Sequence, residues 1–171
     1  MAHSLKTLVA VLVAITFPAI ALAENVEVNI PGEGWRISFD SPPLSQKQEA
    51  RRGGDYAFRA SSDRFNISLF VEQPQGKGDT HKDCYRFYWP KASGNPMIAK
   101  DTVVTSDATK YFRVQYDIVA ELEGQPIRQR NVHYYVAHRG RWVDVHISII
   151  EPTQEDARIF AAFDTSFSYG P

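Results

Sequence analysis

The chain has little cysteine, no excess of charge of either sign and no established catalytic motif. Cys84 is the only cysteine in 171 residues, so a core and not an internal disulfide must stabilise the fold. Lysine and arginine (19) nearly balance aspartate and glutamate (20), which argues against nucleic acid as a partner. The sequence contains no Gly-x-Ser-x-Gly elbow, phosphate-binding glycine loop or His-Glu-x-x-His motif. We therefore expect a protein that is not an enzyme.

Long apolar runs are also scarce, and the one that exists lies at the N-terminus. Residues 1–23 combine a basic start (His3 and Lys6), an apolar run and a small-residue ending at Ala23. This pattern is typical of a secretory signal peptide that is cleaved after Ala23. A retained membrane anchor is the alternative, but spanning a bilayer takes about 20 apolar residues. We predict a periplasmic or secreted protein that has no integral membrane span once the signal is removed.

Residues 24–171 have the length of one domain, and much of this region alternates apolar and polar residues. Such alternation indicates half-buried strands, and it favours an antiparallel sheet because buried parallel strands are apolar throughout. The alternating segments are 35–39, 56–60, 65–71, 112–122 and 143–149. Residues 41–54 and 73–79 are polar and rich in proline or glycine, which predicts loops.

Two further segments have helical spacing. The first runs from about Thr80 to Ser93, with Asp79 or Thr80 as N-cap, and Pro90 should end or kink it near Trp89. The second runs over about 153–163, with Thr153 capping and an acidic residue three positions later. The order of strands, helix, four strands and helix predicts an α+β fold. We expect an antiparallel sheet with both helices packed on its one apolar face.

The order of elements resembles the PsbP-like fold family. The matching residues are an early strand at 34–40, a proline-rich loop at 42–44, a mid-chain helix, long hairpins and an aromatic tail at 166–169. That family includes an extrinsic photosystem II subunit and small bacterial envelope proteins, among them DcrB-like ones. The resemblance implies a single PsbP-like domain over 24–171, a binding or assembly role, and no shared catalytic centre.

The last two alternating segments bring two histidines and an aspartate onto one face of the sheet. If Arg139-Gly140 forms the turn, His133 lies opposite His146, and Asp144 shares their face. Opposite residues have Cβ atoms about 5 Å apart, so these three side chains could bind Zn²⁺ or Cu²⁺. The alternative is a solvated polar face on which a histidine and the aspartate share a hydrogen bond.

Four arginines fall on the polar sides of their predicted strands. They are Arg36, Arg59, Arg64 and Arg113. If their strands are neighbours, these side chains form a positive stripe that could bind a small anionic ligand or an acidic protein. The alternative is a surface neutralised by acidic residues on adjacent strands, namely Asp40, Glu72, Asp117 and Glu121.

The mid-chain helix contains four aromatic residues within five positions, which cannot all face one core. We expect Tyr85 or Trp89 at the edge of the core, where an exposed aromatic side chain favours contact with a partner protein. The alternative is that these rings simply fill the core. On the same helix, Cys84 could pair with His81 to form a reactive thiol, or it could pack as a small apolar residue.

These patterns together predict an exported, non-catalytic binding or assembly protein of the cell envelope. Its partner would be a protein or a small anionic ligand. One alternative is a periplasmic metal-binding protein that uses the hairpin histidines. Others are an envelope immunity or stress-related protein and a hydrolase with an unrecognised site.

Overall fold

The computed structural model describes residues 23–171, so the predicted signal peptide lies outside the described residues except for Ala23. The strands are β1 (Glu24–Ile30), β2 (Trp35–Ser41), β3 (Ser45–Arg52), β4 (Asp55–Ser61), β5 (Phe65–Glu72), β6 (Ile98–Asp107), β7 (Phe112–Leu122), β8 (Gln125–His138), β9 (Arg141–Ile150) and β10 (Ser168–Gly170). The helices are α1 (His81–Ala92) and α2 (Asp156–Ser166). Within residues 23–171, neither helix has the length and apolar character needed to cross a bilayer.

The strands form two antiparallel sheets. The larger has seven strands in the order β3-β4-β5-β9-β8-β7-β6, and the smaller has three in the order β1-β2-β10. Each observed strand pairing is antiparallel. The predicted mixed α+β class with an antiparallel sheet is therefore confirmed, because the period-two alternation that indicated it runs through β2, β4, β5 and β7.

One face of the large sheet, here called the sandwich face, packs against the small sheet and α2. Phe163 of α2 lies 4.9 Å from Phe39 of β2 and 4.8 Å from Tyr134 of β8, measured between ring centroids. Burying one large apolar side chain contributes about 1.5–3 kcal/mol, so this layer is the main source of stability. Its most deeply buried members include Ile37, Phe39, Leu69, Val143, Val145, Ile147, Phe163 and Phe167.

The opposite face of the large sheet, here called the helix face, packs against α1. The rings of Phe112, Tyr135 and Trp142 are buried there together with Cys84 of α1. The prediction that both helices pack on the same face is therefore wrong. The reason is that β8 and β9 place large aromatic side chains at alternating positions that the simple pattern assigns to solvent, and these rings create a second apolar surface.

The sequence pattern also misplaces two elements. Residues 45–52, predicted as part of a loop, form the edge strand β3, all of whose side chains are exposed. An edge strand with neither face buried has no apolar alternation, so periodicity cannot detect it. The α2 helix begins at Asp156 and not at Thr153, although the backbone N–H of Thr153 still donates to Asp156 Oδ2 at 2.7 Å.

The mid-chain helix agrees more closely with its prediction. Thr80 is the N-cap of α1, and Asp83 completes a capping box with it. The helix continues past Pro90 to Ala92, so the proline does not end it. Residues 73–79 form the predicted loop, which leads into α1.

Candidate binding surface

Two rows of polar side chains cross the helix face of the large sheet beside α1. The strand register aligns the first row as Gln48, Arg59, Ser68, His146 and His133. It aligns the second row as Ser61, Asn66, Ser148, Asn131 and Tyr116. Neighbouring strands lie about 4.8 Å apart, so adjacent members of a row can contact the same bound group.

An open depression lies over the outer half of these rows, where α1 does not reach. Its volume is about 260 Å³. We call it the polar groove and define it by Gln48, Arg59, Asn66, Ser68, His146 and Ser148. The helix itself packs on β7, β8 and β9 and reaches β5 at Glu72, which accepts a hydrogen bond from the Tyr88 hydroxyl at 2.7 Å. The helix does not cover β3 and β4 on this face.

His146 forms the inner wall of the polar groove and is hydrogen-bonded to β8. Its Nε2 lies 3.0 Å from Asn131 Oδ1, while Asn131 Nδ2 donates to the Gln129 carbonyl, so Nε2 must carry the proton. Burial, together with the neighbouring His133, lowers the pKa of His146 to about 3. The ring is therefore neutral near pH 7, and its Nδ1 is a hydrogen-bond acceptor with no donor among residues 23–171.

His133 is held between two other side chains. Its Nδ1 lies 2.8 Å from Asp144 Oδ1, and its Nε2 lies 3.2 Å from the Tyr116 hydroxyl. Burial raises the pKa of Tyr116 to about 12, so the hydroxyl stays protonated and donates to Nε2. The hydrogen bond predicted between histidine and aspartate is confirmed. The face is not solvated at this point, since His133 is only 8% exposed.

The three residues predicted as metal ligands are thus brought together, but as a hydrogen-bonded and stacked group. The rings of His133 and His146 are nearly parallel, with centroids 4.3 Å apart and 12° between the planes. The lone pair of an imidazole nitrogen lies in the ring plane, so parallel rings do not converge on one ion about 2.0–2.1 Å away. Among residues 23–171, no cluster of three or more His, Cys, Asp or Glu side chains is suited to a metal. Binding of Zn²⁺ or Cu²⁺ by His133, Asp144 and His146 stays a prediction.

The predicted stripe of four arginines does not form, because the four residues are divided between two sheets and between the two faces of the large one. Arg36 lies on β2 in the small sheet, and Arg113 on β7 is separated from β5 by two strands. Arg113 also faces α2, where its Nε donates to Asp164 Oδ1 at 3.0 Å. Arg59 lies on the helix face, on the opposite side of the large sheet from Arg113. The stripe prediction is therefore wrong.

Three of the four arginines are neutralised, though not by the acidic residues that the sequence suggested. Arg36 pairs with Glu27 at 3.4 Å, and Arg64 binds Asp156 at 3.0 Å. Arg113 pairs with Asp164, as described above. Arg59 is different, because it forms no ion pair within the described part of the chain, and its guanidinium carbon lies 5.4 Å from the centroid of Phe70.

Asp117, which was expected to neutralise the stripe, is buried between two arginines of β8. Burial alone would raise its pKa, but hydrogen bonds and charges from Arg130 and Arg128 hold the pKa of this carboxyl below its usual range. The group is internal to the hairpin of β7 and β8 and does not reach the polar groove.

The helix aromatics attach α1 to the sheet. Tyr85 stacks on Phe112 with ring centroids 4.0 Å apart, and Trp89 packs on Tyr116 at 5.3 Å. Both are half-buried, as are Phe87 and Tyr88, so neither Tyr85 nor Trp89 projects freely into solvent. The geometry favours the alternative that these rings fill a core.

Cys84 and His81 do not form a reactive pair. Cys84 is fully buried, its thiol donates to the Val143 carbonyl at 3.6 Å, and burial raises its pKa far above the usual range. His81 Nδ1 instead accepts the backbone N–H of Ala137 at 2.9 Å. The expectation that Cys84 packs as a small apolar residue is confirmed.

Sequence reasoning missed most of the polar groove. Gln48 lay in a segment predicted as a loop, while Asn66, Ser68 and Ser148 were treated as an ordinary polar side of their strands. The type of polar residue at these positions could have indicated the groove. A strand face exposed only to water commonly carries Lys, Glu or Arg, whereas these positions carry small neutral donors and acceptors.

Comparison with known proteins adds little to this geometry. No family model matches the sequence, and no curated protein matches it. A crystal structure from Bacteroides thetaiotaomicron VPI-5482 is similar, with a TM-score of 0.45 and 11% sequence identity. The match covers 79% of this chain but 45% of that chain, so this chain spans less than half the length of that structure.

Proposed function

We propose that the protein is an exported, non-catalytic binding protein of the cell envelope with a PsbP-like fold, and that the polar groove is its binding surface. The observation that supports this is a set of side chains in the groove that lack partners. Arg59, Asn66, Ser68 and Ser148 make no side-chain hydrogen bond or ion pair to another residue within 23–171. Binding sites characteristically combine a concave surface with a few well-placed polar groups.

A binding role is favoured over catalysis, because the histidine and cysteine that could act as base and nucleophile are hydrogen-bonded or buried. Hydrolysis by a serine or cysteine nucleophile needs a base within hydrogen-bond reach of the nucleophile. His146 uses its Nε2 proton for Asn131, and Cys84 is buried beneath α1. Ser68 and Ser148 flank His146 without a hydrogen bond to it within the described chain, and no carboxylate lines the groove to orient the ring.

Export is the part of the proposal that depends on residues 1–23. The basic start, apolar run and Ala23 ending support cleavage by signal peptidase. A domain with one buried cysteine needs no disulfide machinery and is stable in an oxidising compartment. Cell fractionation with N-terminal sequencing tests this directly. We expect the periplasmic or secreted form to begin at Glu24, and an uncleaved chain confined to the cytosol would contradict export.

The binding role is tested by nuclear magnetic resonance on the purified, isotope-labelled protein. Envelope extract, separated into protein and small-molecule fractions, is added, and the amide resonances of β4, β5 and β9 are followed. We expect one fraction to shift these resonances in wild type but not in Arg59→Gln. Arg36→Gln, which replaces a half-buried arginine outside the groove, is the control and should behave as wild type. If neither fraction shifts the groove resonances, the binding role is wrong.

A further inference from the structure

We propose that the polar groove binds a small hydroxylated monoanion of the sugar-acid class. Its carboxylate would pair with Arg59, and its hydroxyls would bind the neutral amide and hydroxyl side chains around that residue. This inference rests on the proposed binding role and adds to it the chemical class of the ligand.

The charge of the ligand follows from Arg59. Arg59 is the single charged residue among the side chains that line the groove, since no Lys, Asp, Glu or second Arg lines it. It is exposed, and no carboxylate within residues 23–171 pairs with it, whereas Arg36, Arg64 and Arg113 each have one. A single unpaired guanidinium matches a single negative charge, and its fork of N–H donors fits a carboxylate in bidentate geometry.

Phe70 prepares Arg59 for this contact. The guanidinium carbon lies 5.4 Å from the ring centroid, within the range of a cation–π interaction. The neighbouring Phe70 offers no hydrogen-bond acceptor, so the N–H donors of the guanidinium stay available. The side chain is thereby restrained before a ligand arrives, which reduces the conformational entropy lost on binding.

The hydroxyl groups of the ligand follow from the remaining lining. Gln48, Asn66, Ser68 and Ser148 are neutral, and each can both donate and accept hydrogen bonds. A ligand hydroxyl also donates and accepts, so a polyol can satisfy such a surface without a charge mismatch. Membrane or nucleic-acid surfaces, in contrast, are bound by clusters of lysine and arginine, and one arginine does not make a cluster.

The size of the ligand follows from the groove. Its volume of about 260 Å³ lies just below the about 300 Å³ at which typical small-molecule pockets begin. Adjacent strands are about 5 Å apart, and alternate residues along a strand are about 7 Å apart. One sugar ring can therefore span from Arg59 on β4 to the side chains of β5. The strand β9 is two spacings, about 10 Å, from β4, so the ring together with its carboxylate and the length of the arginine side chain is needed to reach it.

The test compares three probes on the purified, isotope-labelled protein. D-galacturonate carries both recognised features, D-galactose lacks the carboxylate, and acetate lacks the hydroxyls. We expect saturable shifts in β4, β5 and β9 with D-galacturonate, and at least about tenfold weaker binding of the other two. A tenfold loss corresponds to about 1.4 kcal/mol, which is less than a hydrogen bond to a charged group contributes.

Variants identify the contacts. Arg59→Gln should lower the affinity for D-galacturonate by about tenfold or more. Arg59→Lys keeps the charge but loses the paired N–H donors of the guanidinium, so it should lower the affinity by a smaller factor. Ser68→Ala should lower the affinity for D-galacturonate severalfold, and Arg36→Gln should leave that affinity unchanged. Amide spectra of the free variants report whether each one folds, and Arg59→Lys keeps the test valid if Arg59→Gln does not fold.

Several results would overturn the inference. These are no saturable shift with D-galacturonate, equal binding of acetate or of D-galactose, or shifts confined to residues outside the groove. If a protein fraction of the envelope shifts the groove resonances and sugar acids do not, the ligand class is wrong and the binding role stands. If neither produces a shift, both are wrong.

Discussion

At the scale of single residues, the helix face shows polar groups that form hydrogen bonds within a partly buried setting. His133 is the central member, because its two ring nitrogens contact Asp144 and Tyr116. Removing one partner of a buried hydrogen bond leaves the other unsatisfied, which costs more than the bond itself contributes. The sequence placed His133 and Asp144 together correctly because the Arg139-Gly140 turn fixes the register. It could not indicate that α1 covers them.

Replacing Asp144 with asparagine should lower the free energy of unfolding by about 1–3 kcal/mol, because the charged acceptor of the His133 Nδ1 proton is lost. Urea unfolding followed by circular dichroism measures the change. Asp107→Asn is a suitable control, since Asp107 forms an exposed ion pair with Lys82, which contributes about 0–1 kcal/mol. Equal effects of the two substitutions would contradict the importance assigned to the buried bond.

His146 should make the stability of the protein depend on pH. Burial lowers its folded pKa to about 3, while the unfolded value is near 6.5. The unfolded chain therefore binds the additional proton, and the contribution of His146 is fully present above pH 6.5 and is lost as the pH falls from 6.5 toward 3.

The slope should be on the order of 1 kcal/mol per pH unit in that window, and His146→Gln should reduce it. Glutamine can still donate to Asn131 but does not titrate. Unfolding free energies of both proteins across this pH range test the effect. A slope that survives the substitution unchanged would assign it to another group.

At the scale of elements, α1 is held by aromatic contacts and by the loop that precedes it. Gly76 in this loop lies against the rings of Trp142 and Phe87, and a Cβ at this position would lie 2.9 Å from Trp142 Cη2. Trp142 is only 1% exposed, so it has little room to move away. The sequence marked this segment as a loop but could not show that it closes over a buried tryptophan from a distant strand.

Gly76→Ala should therefore destabilise the protein by about 1–3 kcal/mol through overpacking. Gly94→Ala is the matched control, because its nearest contact would be an ordinary 3.5 Å to the Lys91 carbonyl. Thermal unfolding of the two variants compares them. A Gly76→Ala protein that is as stable as Gly94→Ala would show that Trp142 and Phe87 can shift at little cost.

At the scale of the whole molecule, two hydrophobic cores share the central strands of one sheet. β8 is buried at six consecutive positions, from Asn131 to Val136, because alternate side chains enter the core on either face. Tyr134 packs into the sandwich side and Tyr135 into the helix side. Each core depends on β8 and β9 keeping the position that the packing on their other face holds.

The two cores should therefore unfold in one cooperative transition. Trp35 reports on the sandwich core and Trp142 on the core under α1, and both are buried. Variants that retain a single tryptophan, either Trp35 or Trp142, with Trp89 replaced in both, should show coincident fluorescence transitions in urea. An earlier transition for Trp142 would mean that α1 leaves the sheet before the sandwich unfolds.

The side chains that line the polar groove differ in how deeply they are buried. Its outer side chains, Gln48 and Arg59, are exposed and belong to neither core, while Ser148 on its inner side is only 3% exposed. Substitutions at Gln48 and Arg59 can therefore change ligand preference at little cost in stability, whereas substitutions of the groove residues on β9 disturb the packing beneath. Related proteins are expected to diversify along the outer edge and to keep the inner wall, so that one scaffold can acquire a range of specificities.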